Sequence, residues 1–207
     1  LEYGPCGPDS ETFYIADRPD CGPNCGPGCD CGKYTELGNE VFMQYEKHHD
    51  GHLTPLKQKN VDTGWGLERI LAFLNGTRDV YQTDLFAPVI AYIEEASGVK
   101  YKLTRSMRIL ADHLRTSVML IGDEAKLLPS NTGAGYILRR LIRRSVRHGR
   151  TLNMTTEQLL HIAAMYIDEI YAESYPLMKK NREFILSELQ KEIARFESTL
   201  ENGMKEL

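Results

Sequence analysis

The sequence contains no apolar run approaching the roughly 18 residues of a membrane-spanning helix, and no charged-then-apolar leader opens it. A membrane-embedded or secreted protein is therefore not expected, and the cytoplasm is the compartment predicted. Internal repeats and low-complexity tracts are also missing, so neither a repeat array nor a disordered segment has support. A general excess of basic residues is absent too: the 207 residues carry a net charge of −4, which argues against a surface given over wholly to nucleic acid. Methionine is lacking at the first position, where Leu1 stands, and this points to a processed chain or a piece of a longer one. What remains is ordinary globular material, 42% apolar, enough for a real core in one large domain or two modest ones.

Pattern and charge are uneven along the chain. Residues 1–35 are rich in Gly, Pro and Cys and sustain no helical period, which predicts turns joined to short strands. The stretch GNEVFMQYEK (38–47) predicts a strand, and HHDGHLTPLK (48–57) supplies the turn after it through Asp50-Gly51. A first helix is expected to begin near Leu67. Farther on, apolar residues fall three or four apart over 84–97, 105–121, 134–148, 155–173 and 181–206, predicting helices. PSNTGAG (129–135) interrupts them, with Pro129 as a stop and Ser130 or Asn131 to cap the next helix. In the last helix Ile185, Leu189, Ile193, Phe196, Leu200 and Met204 recur at steps of four, four, three, four and four. Such a stripe packs onto its own domain or forms a coiled-coil seam with a partner, so self-association through this helix stays open. The expected fold class is α+β, with a strand-rich domain over 1–80 and a helical domain over 81–207.

Three constellations carry chemistry. In VDTGWGLERIL (61–71) Gly64 and Gly66 remove Cβ atoms where strand passes into helix, so a ligand could lie against backbone. The helix start would offer free N–H groups, and Arg69 a planar fork, to phosphate oxygens. The same residues also suit a plain glycine-rich turn with a solvated Glu68/Arg69 pair. The second constellation is ILRRLIRRSVRHGR (137–150), with six arginines and no acidic residue. Ile137, Leu138, Leu141, Ile142 and Val146 make an apolar face; Arg139, Arg140, Arg143, Arg144 and Arg147 spread over the rest and suit bidentate contact with RNA phosphates. A solvated, partly salt-bridged face is the plainer reading. Third, Cys21, Cys25, Cys29 and Cys31 stand within CGPNCGPGCDC, where Gly and Pro give the turns needed for four thiolates to converge. Zinc is the reading favoured over free thiols or disulfides. His48, His49 and His52 fit a solvated hairpin turn better than a second metal site, and His113 and His148 read as packing or RNA-contact residues.

The segments GPCGPDSE (4–11), GNEVFMQYEK (38–47), VDTGWGLERILAFLNG (61–76), RILADHLR (108–115) and PSNTGAGYILRRLIRRSVRHG (129–149) occur in one order. Together they resemble the alanyl-tRNA synthetases, a family of class II aminoacyl-tRNA synthetases. The likeness covers nearly the whole chain, from the second half of the catalytic domain, with its part of the class II antiparallel sheet, through the helical tRNA-recognition domain. It implies ATP-dependent attachment of alanine to tRNA(Ala) through alanyl-adenylate, with Mg²⁺ as cofactor. In this resemblance Arg69 matches the arginine on the ATP γ-phosphate and Asp62 the aspartate that pairs with the α-ammonium of alanine. Gly64 matches the glycine lining the side-chain pocket, Gly66 helps to admit the nucleotide, and Asn39 matches an asparagine that contacts substrate. Glu36 and Glu11 become candidates for the magnesium and adenylate environment. Gly38 stands where the family has tryptophan, which implies that one wall of the site is opened. Asn131 matches the asparagine that reads the wobble G·U pair of the acceptor stem, while Thr132 and Ala134 replace the family's Glu and Arg. The family's first two class II motifs precede the point where this sequence starts, so poor activation of alanine by this segment alone is expected. A non-catalytic RNA-binding paralogue is the alternative these departures leave open.

Overall fold

The computed structural model describes residues 2–102 and 104–205, the last three of these by backbone alone. It divides into two compact units, Leu1–Thr83 and Asp84–Leu207. The first is built on a four-stranded antiparallel sheet of β1 (Gly4–Cys6), β2 (Asp9–Ile15), β3 (Tyr34–Lys47) and β4 (Leu53–Trp65). The long β3, rich in aromatic and branched residues, is central: β1 and β2 pair along one edge and β4 along the other. Pairing of Asn39 with Gly64 and of Val41 with Asp62 sets the register that builds the site. The histidines form the turn between β3 and β4, where the His48 and His52 rings stack at a centroid distance of 4.1 Å and His48 Nε2 lies 2.9 Å from Thr54 Oγ1. Gly51, at φ 87°, makes the reversal there.

The strand β4 is more than the turn expected over 48–57. Its residues are largely exposed, so no alternation of apolar and polar residues marks it, and Pro55 is tolerated because the strand lies at an edge. The chain then enters α1 (Leu67–Leu74) directly behind Gly66, followed by a 3₁₀ turn at Val80–Gln82.

The second unit is helical: α2 (Ala87–Ser97), α3 (Arg105–Gly122), α4 (Gly133–Thr151), α5 (Thr156–Met165), α6 (Pro176–Lys180) and α7 (Arg182–Lys205). Its core joins Met107, Leu110, Leu114 and Val118 of α3 to Leu138, Ile142 and Val146 of α4 and to Ile185, Leu189 and Ile193 of α7, all buried. Burying each such side chain is worth about 1.5–3 kcal/mol. The first three members of the C-terminal stripe are thus used within the unit, and the side chain of Met204 lies outside the described residues. The helix expected over 155–173 is shorter. It begins on a Thr155/Gln158 capping box, ends at Met165 and passes into a π-helical turn, Tyr166–Ile170, whose buried Tyr166 donates to the Ala111 carbonyl at 2.9 Å. The cap expected from Ser130 or Asn131 falls instead on Thr132, without a side-chain bond. Ser130 fastens the loop, its hydroxyl donating to Thr132 O at 2.8 Å and its backbone N–H to Gly135 O at 3.0 Å. The architecture is the α+β combination anticipated. Among the described residues no helix is long and apolar enough to cross a membrane.

Candidate functional site

Side chains directly opposite each other in an antiparallel pair share a face, and the period of two keeps alternate residues with them. Asn39, Gly64 and Asp62 therefore stand on one face of the sheet, with Glu11 opposite Asn39 from the other neighbour. A Cβ at Gly64 would lie 3.6 Å from Asn39 Oδ1, so the missing side chain leaves a small recess beside the amide. Asp62 is exposed and can take a cation. Gly38 and Trp65 pair on the opposite face. The Trp65 ring lies where a side chain at position 38 would begin: a Cβ there would fall 2.5 Å from Trp65 Cδ2. The gap expected from Gly38 is thus filled, and on the far side from Asn39. Trp65 Nε1 donates to Thr63 Oγ1 at 3.0 Å, and Thr63 Oγ1 donates to the Asn39 carbonyl at 3.2 Å, tying the ring to the strand that carries Asn39.

Arg69 sits in the first turn of α1. Its Nη1 donates to the Glu36 carbonyl at 3.0 Å and to Glu36 Oε2 at 3.3 Å. The sequence left Glu68 as the natural neighbour; the fold gives Arg69 to Glu36 and leaves its side chain 51% exposed. A half-exposed guanidinium on a single carboxylate keeps donors for a second anion. Gly66 accommodates the arginine stem, since a Cβ there would lie 3.1 Å from Arg69 Cδ.

The four clustered cysteines converge. Their sulfurs all lie within 4.8 Å of one another, with Cys21–Cys29 at 3.8 Å and Cys25–Cys31 at 3.9 Å. Those separations are far longer than a disulfide. They match the edge of a tetrahedron whose centre is about 2.3 Å from each sulfur, about 3.8 Å. Sulfurs so close cannot all ionise without a cation among them: the Cys21 thiol, hydrogen-bonded to Cys25 first and then to Cys29 and Cys31, is pushed up to about 12. The Cys31 thiol moves the other way, chiefly because the Lys33 backbone N–H donates to it. The donor set and spacing fit zinc.

In the helical unit Asn131 is exposed just before α4, and its Oδ1 accepts from Arg139 Nη1. Gly135 makes this approach of loop to helix feasible: a Cβ there would fall 2.4 Å from both Leu128 O and Ser130 Oγ. Gly135→Ala is expected to destabilise the unit by about 1–3 kcal/mol. Chemical denaturation checks this; an unchanged midpoint would mean that the loop yields at no cost.

The five α4 arginines expected to contact RNA do not act alike. Arg139 and Arg140 lie over the Tyr136 ring, at 5.3 Å and 5.8 Å. Arg143, half-buried in the wall of the cleft, is tied to α7, its Nε donating to the buried Glu192 Oε1 at 2.6 Å and its guanidinium lying 5.2 Å from the Phe196 ring. Arg140, Arg144 and Arg147 have no carboxylate partner among the described residues and line a cleft of about 860 Å³ with Arg105, His113 and His148. His148 is held below the ordinary histidine range, by burial first and then by Arg144, Arg105 and Arg147, so it adds no charge near neutral pH. The sequence did not single out Arg105. Its place at the start of α3, eight residues before His113 on one helical face, was the available signal.

The profile of the family described as tRNA synthetases class II (A) matches residues 2–207. An alanine–tRNA ligase of Treponema denticola is 50% identical over 90% of this chain and 32% of its own length. Its counterpart in Treponema pallidum is 46% identical over 99% of this chain and 34% of its own, and that of Borrelia hermsii 42% over 98% and 35%. The chain spans about a third of the length of these relatives.

Proposed function

The chain belongs to the class II tRNA synthetases (A), and we propose on that premise that its residues serve the ATP-dependent attachment of alanine to tRNA(Ala). In this reading the alanine carboxylate attacks the α-phosphorus of ATP, pyrophosphate leaves, and the tRNA 3′-terminal hydroxyl then takes the alanyl group from the adenylate. The observation that carries it is the shared face of Asn39, Gly64 and Asp62. Asp62 pairs with the α-ammonium, the recess at Gly64 has room for a methyl group and little more, and Asn39 fixes the carboxyl end. Arg69, steadied by Glu36, turns its free donors to the ATP phosphates. Mg²⁺ supplies charge neutralisation on those phosphates when bound. Positioning and electrostatics suffice for such a transfer. Asn131 and the unpaired α4 arginines contact the acceptor stem. The helical unit is then the tRNA-recognition domain and the sheet unit part of the aminoacylation domain. The four cysteines hold a structural zinc that closes the connection between β2 and β3.

Titration calorimetry with a sulfamoyl analogue of alanyl-adenylate tests the alanine site. The wild-type chain is expected to bind, and Asp62→Ala to lose about ten- to a hundredfold in affinity, the value of one charge-assisted hydrogen bond. Equal binding by both would remove Asp62 from the site. Binding by neither, alongside retained RNA affinity, would favour the non-catalytic RNA-binding reading.

A further inference from the structure

The carboxamide of Asn131 has an oxygen that accepts and an NH₂ that donates, and the terminal torsion of a free asparagine turns readily between the two presentations. Here the amide is held. Asn131 stands just before α4, and a long side chain on a helix leans back toward the helix start. Arg139 reaches the loop in this way and donates from Nη1 to Asn131 Oδ1. A guanidinium has donors and no acceptor, so the end of the amide that it meets is the oxygen. The NH₂ is left for a ligand, on a side chain that is exposed. Arg139 is itself steadied: it is half-buried and lies over the Tyr136 ring at 5.3 Å. The loop is fixed as well, since Thr132 N–H donates to Ser130 Oγ at 3.4 Å and Tyr136 N–H to Thr132 O at 3.2 Å, beside the bonds of Ser130 given above. Residues 129–135 contain no charged side chain, so Arg139 supplies a charge-assisted bond that the loop itself cannot.

These constraints turn a two-way group into a donor. The minor groove of an RNA duplex shows base acceptors at purine N3 and pyrimidine O2, and one base donor, the guanine 2-amino group. A freely turning asparagine can meet either kind, whereas one whose oxygen is occupied meets acceptors. We propose that Arg139 is a positioning residue and not a phosphate contact: it holds the Asn131 amide so that the NH₂ donates to a pyrimidine O2 or purine N3 of the acceptor stem. The inference rests on the reading of Asn131 as a contact to the wobble G·U pair of that stem. It adds the polarity of the contact and the residue that sets it, and it takes Arg139 out of the group of α4 arginines that bind backbone phosphates.

The test is anisotropy of a fluorescent acceptor-stem hairpin with one G·U pair, titrated with the full chain over a series of salt concentrations. Three replacements in that pair are compared with the unmodified hairpin: 3-deazaguanosine, which lacks N3; 2-thiouridine, whose sulfur accepts poorly; and inosine, which lacks the 2-amino group. Wild type is expected to lose about fivefold in affinity for one of the two acceptor replacements, the worth of one hydrogen bond. Asn131→Ala should bind that hairpin and the unmodified one alike. Inosine should change affinity by the same factor in wild type and in Asn131→Ala, because an amide with its oxygen occupied makes no bond to the amino group. Arg139→Met keeps an apolar stem over Tyr136 and frees the amide, so the acceptor ratio should fall toward one while the salt slope stays as in wild type. Arg139→Lys, which retains a donor, should keep part of the ratio. NMR of the wild-type Asn131 side-chain NH₂ needs no variant: its resonances should move with the unmodified hairpin and less with the acceptor-replaced one. The proposal is overturned, and the RNA reading stands, if RNA binds but neither acceptor replacement costs affinity, or if the NH₂ resonances stay in place. It is equally overturned if an inosine penalty in wild type vanishes in Asn131→Ala, or if Arg139→Met keeps the full ratio. A salt slope lowered by about one in Arg139→Met would make Arg139 a phosphate contact and also overturn it. Failure to bind RNA even at low salt would sink both.

Discussion

Arg143→Met is expected to destabilise the helical unit by about 3–5 kcal/mol, the loss that follows when one partner of a buried ion pair is removed. The carboxylate it leaves behind is the reason. Glu192 has a side chain only 4% exposed, on α7, and its Oε1 accepts from Arg143 Nε at 2.6 Å. Arg143 is 31% exposed and can turn its free nitrogens to water, so the asymmetry of the pair matters. Removing the arginine strands a charge in the core region between α4 and α7; Glu192→Gln strands nothing charged and should cost less. Replacing both residues, as Arg143→Met with Glu192→Leu, should restore most of the loss, since apolar packing of similar volume commonly equals a buried pair. Urea denaturation followed by far-ultraviolet circular dichroism measures all three. An Arg143→Met variant within roughly 1 kcal/mol of wild type would place this pair with ordinary surface salt bridges.

That same pair shows what a sequence conceals. The period of α4 was legible, and so was its charge: residues 137–150 hold six arginines and no acid. Which arginine faces water was not, because the partner of Arg143 lies 49 residues away on α7. Helix existence followed from apolar spacing, and α3, α4 and α7 carry their buried residues at the spacing expected. The beginning of β4, read as part of the turn over 48–57, escaped because the strand is largely exposed and its residues show no alternation of apolar and polar. Position 38 illustrates the limit differently. A glycine where a larger residue is expected reads as a vacancy, yet the neighbouring strand brings Trp65 over it, and only the register Gly38–Trp65 reveals the exchange. The cleft was the least legible feature, because its arginines come from two helices.

Removing metal is expected to have the largest effect on the sheet unit. The connection from Ala16 to Lys33 contains neither strand nor helix, and an ordered stretch of that length without secondary structure needs something to hold it. Its own interactions are few. Ala16 N–H donates to Lys33 O at 2.7 Å, Lys33 pairs with Asp20, and two turns close at Cys25 and Cys29. The convergent sulfurs are the remaining candidate, and structural zinc in such a set contributes apparent binding free energies of about 10–16 kcal/mol at neutral pH. The reduced chain is expected to carry about one zinc per molecule, in keeping with a four-sulfur site. Chelation should abolish hydrogen-exchange protection across residues 17–33, while the central pairing of β3 with β4 at Asn39–Gly64 persists through its own ladder. Affinity should fall as pH is lowered, because protons compete for the thiolates that bind the ion. Cobalt substituted for zinc should show sulfur-to-metal charge-transfer absorption. Serine at Cys21, Cys25, Cys29 or Cys31 should lower the zinc content, whereas Cys6→Ser, at the far end of β1, should not. Substoichiometric zinc in reduced, metal-replete protein, with the same exchange pattern before and after chelation, would show that the thiols hold no ion and that the loop is kept by its hydrogen bonds alone.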